Sequence, residues 1–144
     1  MSLEILIMNR EDAGRATHQR KAPPTAIISI TDIHSPPNKF KNPPWLRAVL
    51  PLKFEDVYRG RGCMTPAQAR EVRDFVLEVV PRVRRLIVHC EYGVSRSSGT
   101  AAAIRQYLTG GGDVILNDPR YSPNHTCYDL VLAALEGKAE DAGY

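Results

Sequence analysis

The residues able to do chemistry cluster in one run, His89-Cys90-Glu91-Tyr92-Gly93-Val94-Ser95-Arg96-Ser97. Cys90 is a candidate nucleophile. Arg96, after five intervening residues, is a candidate anion clamp. A planar guanidinium matches two phosphate oxygens at once, which a lysine ammonium does less well. A cysteine that attacks phosphorus becomes a phosphocysteine and splits one hard displacement into two easier ones. The backbone amides of Glu91, Tyr92, Gly93, Val94, Ser95 and Arg96 would take the remaining equatorial oxygens, where charge must be held in the transition state. Gly93 permits backbone angles that a Cβ resists. The Ser97 hydroxyl can donate to the Cys90 sulfur when that sulfur must leave. His89 is expected to orient the loop by hydrogen bonding rather than to exchange protons with substrate.

Such a loop needs a strand and a helix to hold it. Apolar Leu86-Ile87-Val88 precedes the cysteine, and Ser97 to Leu108 is helix-compatible up to Gly110-Gly111-Gly112. Cys90 therefore sits where a buried strand turns into a helix. Loop amides and the helix N-terminus then point at one spot, favour negative charge there, and favour the thiolate. Elsewhere strands and helices alternate. Leu3 to Met8, Thr25 to Ile30 and Arg47 to Leu52 read as strands, and Glu11 to Arg20 as a short helix. A proline-rich loop covers Ser35 to Pro44. Thr65-Pro66-Ala67-Gln68 opens a helix with a cap, a first-turn proline and a capping box. Its apolar positions Ala69, Val72, Val76 and Val79 keep helical spacing. A last helix spans about His125 to Leu135, and residues 137–144 read as a frayed tail. The expected fold is α/β, with a central, mainly parallel sheet of four to five strands flanked by helices. It presents Cys90 at the carboxyl end of the sheet.

The run resembles the H-C-x5-R-S/T signature of the cysteine-dependent protein tyrosine phosphatases. Its S-R-S ending is most similar to the dual-specificity branch and its small bacterial relatives. The resemblance covers about Pro24 to Leu135, sharp at the loop and diffuse elsewhere. It implies an acid on a loop about thirty residues before the cysteine, to protonate the leaving oxygen. Leu50-Pro51-Leu52-Lys53-Phe54-Glu55-Asp56-Val57 lies there, and the family's pattern selects Asp56 over Glu55. Asp32, after the second strand, is the rival. Ser122-Pro123-Asn124 resembles the family's Pro-Asn pair, whose Asn supports the active-site loop. Asn124 could equally cap the last helix, and one side chain is not expected to do both.

Two loop residues depart from the family. Glu91 disfavours a polyanionic substrate, since relatives acting on inositol phosphates carry basic residues here, or it points outward and does nothing. Tyr92 is bulkier than usual and can wall a pocket or pack on the proline-rich loop. The chain also lacks the long phosphotyrosine-recognition segment of the larger phosphatases, which implies a shallow, tolerant pocket. Arg59 and Arg61 could steer phosphate but read more simply as solvated charges.

Composition sets the outer bounds. One domain over residues 1–144 is expected for 144 residues, with 43% hydrophobic and 24% charged content. A net charge of +3 suits an anionic substrate but is too small to argue for nucleic acid. Residues 1–8 are too short and too interrupted for a signal peptide, and no membrane span is expected. Three cysteines, Cys63, Cys90 and Cys127, form no disulfide framework, which fits a reduced, cytoplasmic setting. His89-Cys90 and His125-x-Cys127 lack zinc-site spacing, so no metal or cofactor is expected. The expected activity is phosphomonoester hydrolysis, on phosphotyrosine with some phosphoserine or phosphothreonine in a phosphorylated protein. The alternatives are a phosphatase of a nucleotide or RNA 5′ end, an arsenate reductase or rhodanese-type enzyme, and a catalytically weak phosphate-binding module. Oligomeric state is not legible.

Overall fold

A computed structural model of the chain describes residues 3–137. The expected tail lies outside them, apart from Gly137. The elements run β1 (Glu4–Asn9), α1 (Arg10–Ala16), β2 (Thr25–Thr31), β3 (Leu46–Lys53), α2 (Pro66–Val79), β4 (Arg85–Cys90), α3 (Arg96–Thr109), α4 (Asp113–Leu116) and α5 (His125–Glu136). The four strands form one parallel sheet in the order β1-β4-β2-β3. Two short pieces were not legible in the sequence: a 3₁₀ turn at Val80–Arg82 and the four-residue α4.

Strand position explains strand composition. β2 lies between β4 and β3 and every residue of it is buried, so its run Thr-Ala-Ile-Ile-Ser-Ile-Thr is nearly continuous in apolar and small side chains. β3 is an edge, alternates in burial, and tolerates Pro51 in its middle. Residues alternate between faces along each strand. Ala26, Ile28, Ile30, Leu86 and Val88 face a large core with Val72 and Val76 of α2, Ala102 of α3 and Leu130 of α5. Ile27 and Ile87 face a small one with Ala13 of α1, joined by Met8 and Phe40.

Helix ends follow the local chemistry. Thr65 accepts from the Gln68 amide and the Gln68 side chain accepts from the Thr65 amide, completing the expected capping box. α3 stops at Gly110, which takes a left-handed φ of 75°. Among the described residues, no helix is long and apolar enough to cross a membrane.

Candidate active site

Cys90 is the last residue of β4, and α3 begins at Arg96. Between them the chain folds into a tight loop whose carbonyls are spoken for from outside. Glu91 O accepts from the Arg10 amide, Val94 O from the Ser122 amide, and Ser95 O from the Asn124 amide. The Ser98 hydroxyl also donates to Val94 O at 2.6 Å. A carbonyl turned outward turns the next residue's amide the other way, here those of Tyr92, Ser95 and Arg96. Gly93 has φ 72°, and a Cβ there would fall 2.7 Å from the Asn9 nitrogen and 2.8 Å from the Met8 carbonyl carbon. Conformation and space thus both demand glycine.

Two donors converge on the sulfur. The Ser97 hydroxyl lies 3.1 Å from Cys90 Sγ, and the Gly93 amide donates to it at 3.3 Å. Arg96 is 3% exposed. Its Nη1 donates to the Phe54 carbonyl at 2.6 Å and pairs with Asp32 Oδ1 at 2.8 Å. Its Nε is buried and has no partner among the described residues. The guanidinium is therefore fixed at one corner and keeps an unused donor, which a buried group rarely does without a ligand to meet it. Asp32, the rival acid of the sequence reading, is engaged in holding this arginine.

A second set of contacts braces the loop from behind. His89 is fully buried; its Nδ1 lies 3.2 Å from the Cys90 carbonyl, and its Nε2 lies 2.6 Å from Ser29 Oγ and 3.3 Å from Asn38 Nδ2. A carbonyl only accepts and an amide nitrogen only donates, so the ring carries its proton on Nδ1. Burial, opposed by the bond to Cys90 and reinforced by Arg10 and Arg96, holds His89 below its ordinary pKa and keeps it neutral. Glu91 does not point into solvent. Its Oε2 accepts from the Asp32 amide at 3.1 Å and pairs with Arg10 at 3.3 Å. Burial alone would raise its pKa. The Asp32 amide, Arg10 and the Ser35 hydroxyl outweigh that and hold the carboxyl below its ordinary value. Arg10 also donates to the carbonyls of Pro36 and Pro37, so the proline-rich loop is tied to the site. Asp32 therefore grips both ends of the loop, Glu91 through its amide and Arg96 through its carboxylate.

Asp56 is held by two donors. Its Oδ1 accepts from Ser95 Oγ at 2.8 Å and from Asn124 Nδ2 at 2.9 Å. Glu55 is occupied elsewhere and accepts from the Ile33 amide at 2.6 Å. Asn124 does both things that were expected to exclude one another. Its Oδ1 accepts from the Cys127 amide and caps α5, while its Nδ2 reaches Asp56 and, at 3.3 Å, the Val57 carbonyl. A side-chain amide has an acceptor end and a donor end, so one residue serves both. What lets Asn124 come this close is Gly99. A Cβ at that helical position would lie 2.4 Å from the Asn124 carbonyl oxygen.

The cavity above Cys90 measures about 300 Å³ and is lined by Asp56, Tyr58, Cys90, Tyr92, Val94, Ser95, Arg96 and Ser122. Tyr92, 82% exposed, and Tyr58, 56% exposed, stand at its mouth. Tyr92 is thus a wall. Neither Arg59 nor Arg61 lines this cavity. The other two cysteines are free: Cys63 is half-buried and Cys127 buried. Burial pushes the Cys127 thiol up to about 12. The sequence reading missed Asp32 as anchor of Arg96 and Gly99 as spacer. The second had a signal, because a glycine inside a helix costs roughly 1 kcal/mol and asks for a reason.

No family model and no curated protein matches the sequence. Solved structures do match its shape. A single-substitution variant of human DUSP28 aligns with a TM-score of 0.65 at 17% identity, over 92% of this chain and 90% of that one. PTPMT1 in complex with PI(5)P aligns at 0.60 and 14% identity, over 97% and 95%. A mouse protein described as a dual specificity phosphatase, solved with zinc tungstate, aligns at 0.60 and 14% identity, over 92% and 82%. The chain therefore has the fold of the cysteine-dependent phosphatases, and of their dual-specificity branch in particular.

Proposed function

We propose that this chain is a phosphomonoester hydrolase working through a phosphocysteine, with phosphotyrosine in a protein as its preferred substrate and phosphoserine or phosphothreonine as slower ones. The observation that carries this reading is the buried Arg96 guanidinium, pinned by Asp32 and Phe54 beside Cys90, with its Nε unpartnered.

The chemistry follows from the contacts. The Cys90 sulfur attacks phosphorus, the ester P–O bond breaks, and the leaving oxygen takes a proton from Asp56. Both bonds to Asp56 fall on Oδ1, so the proton rides on Oδ2. Arg96 and the inward amides hold the equatorial oxygens. Water then attacks phosphorus and gives its proton to Asp56. The S–P bond breaks, its electron pair returns to sulfur, and the Ser97 hydroxyl donates to that sulfur.

Two exposed tyrosines at the mouth suit a flat aryl ester. The loop's own basic residue is Arg96 alone, and Glu91 is an anion, which speaks against the polyanionic head group of the PTPMT1 complex. A relay of thiols as in an arsenate reductase is poorly served by a Cys127 held protonated up to about 12. Three free cysteines suit a reduced, cytoplasmic setting.

Turnover of a nitrophenyl phosphate, with a phosphoryl group found on Cys90 by mass spectrometry after rapid quenching, tests the mechanism. Cys90→Ser should abolish turnover yet still bind vanadate, because the amides and Arg96 remain. Appreciable turnover by that variant would overturn the covalent route.

A further inference from the structure

A second concavity adjoins the catalytic one. It holds about 360 Å³ and is bounded by Tyr58, Arg59, Cys63, Met64, Thr126 and Leu130, among others. Tyr58 lines both spaces, so the two are neighbours across one residue. The floor is apolar: Met64 and Leu130 are each 1% exposed and belong to the main core. The wall is fixed rather than loose. The Thr126 hydroxyl donates to the Tyr58 carbonyl, and the Tyr58 ring lies 6.2 Å from that of His125. Gly60 and Gly62, at φ 84° and 91°, turn the segment between Tyr58 and Cys63.

We infer that this groove is a subsite for an apolar side chain of a phosphorylated protein, one to three residues from the phosphoresidue. The inference rests on the phosphatase reading above and deepens it. Three features select the occupant. The groove shares Tyr58 with the catalytic cavity, so a group in it is within reach of the molecule whose phosphate meets Cys90. An extended polypeptide advances about 3.3–3.6 Å per residue, which steps past one aromatic ring within two or three residues. The lining carries Arg59 and Asp129, charges of both signs. Mixed charge suits a polypeptide backbone, whereas an anionic lipid surface would favour a uniformly basic rim.

The test separates the subsite from the chemistry. Nitrophenyl phosphate turnover by the native chain reports on the catalytic reading alone. The subsite is read by binding, with the Cys90→Ser protein and fluorescent phosphotyrosine peptides of otherwise serine sequence. Leucine is placed at each of the three positions on either side. One position should tighten Kd about tenfold over the all-serine peptide, the low end for an apolar group entering an apolar pocket. Cys63→Trp in the same protein fills the groove and should remove that preference; Cys63→Leu, a smaller filler, should reduce it. Neither filler should alter nitrophenyl phosphate turnover when Cys90 is intact. Equal affinity within twofold at all six positions, or a preference that survives Cys63→Trp in a folded protein, overturns the inference. So does tighter binding of vesicles carrying a phosphatidylinositol phosphate than of any peptide.

Discussion

Replacing Gly99 by alanine sets two effects of opposite sign against each other. In an unhindered helix interior the change would stabilise by about 0.5–1 kcal/mol, because glycine loses the most backbone entropy on folding. Here the new Cβ would lie 2.4 Å from the Asn124 carbonyl oxygen and 3.1 Å from its nitrogen. Both are backbone atoms, so no rotamer change relieves the clash, and α3 must part from residues 122–124. Overpacking of this kind costs about 1–3 kcal/mol. Parting also stretches the bond from the Asn124 amide to Ser95 O, now 3.0 Å, worth about 0.5–1.5 kcal/mol. Sterics win, and the net expectation is a loss of roughly 2 kcal/mol. Urea unfolding read from the single tryptophan, Trp45, should show a lower midpoint at unchanged slope. Because Asn124 holds Asp56, the variant should also lose more activity on a phosphotyrosine peptide than on nitrophenyl phosphate. A midpoint equal to or above the parent's would refute the close approach and the chain of contacts built on it.

Asp56→Asn should cut turnover of a phosphotyrosine peptide by roughly 10²-fold, hurt nitrophenyl phosphate much less, and flatten the basic limb of the pH–rate profile. Equal losses with an intact basic limb would clear Asp56. Asp32→Asn should lower kcat by about tenfold on both substrates, as expected for one weakened charge-assisted bond to Arg96; the basic limb should stay. Selective loss on the peptide would make Asp32 the acid instead. Burial keeps the His89 pKa below its ordinary 6.5, so the unfolded chain takes up that proton first. Stability should therefore fall as pH drops from 6.5 toward the lower folded-state value. Urea midpoints at about pH 7.5 and 5.5 should differ in the native chain and converge in His89→Asn; a flat native profile would refute a buried neutral ring.

The strand–loop–helix holding Cys90 was legible because it is local: an apolar strand, a glycine where the chain reverses, and a helix-compatible run all fall within about twenty residues. The α2 start was legible for the same reason, since Thr65 and Gln68 bond to each other's amides. The partnership of Asp32 with Arg96 was not legible, because it joins the end of β2 to the start of α3 across the sheet. Its sequence sign, an aspartate ending a strand, also fits an ordinary turn. Asn124 was misjudged on chemistry rather than on distance: capping consumes its oxygen and leaves its nitrogen free for Asp56. Glu91 was left between disfavouring a polyanion and pointing outward, because nothing near it in the chain reveals Arg10 or the Asp32 amide.

The strand order has a consequence for how the molecule comes into being. Among the described residues β1 touches the sheet only through β4, and β4 is the last of the strands, inserted between β1 and β2. During synthesis the first strand must wait, with both edges bare, until residues 85–90 have left the ribosome. Such non-local pairing slows folding and leaves an apolar edge open to wrong partners meanwhile. Closing the sheet also sets Asn9 beside Cys90 in register. A Cys90 sulfur seated between the Ser97 hydroxyl and the Gly93 amide is thus a mark of the finished sheet, and the loss of Cys90 labelling during refolding would time the arrival of β4.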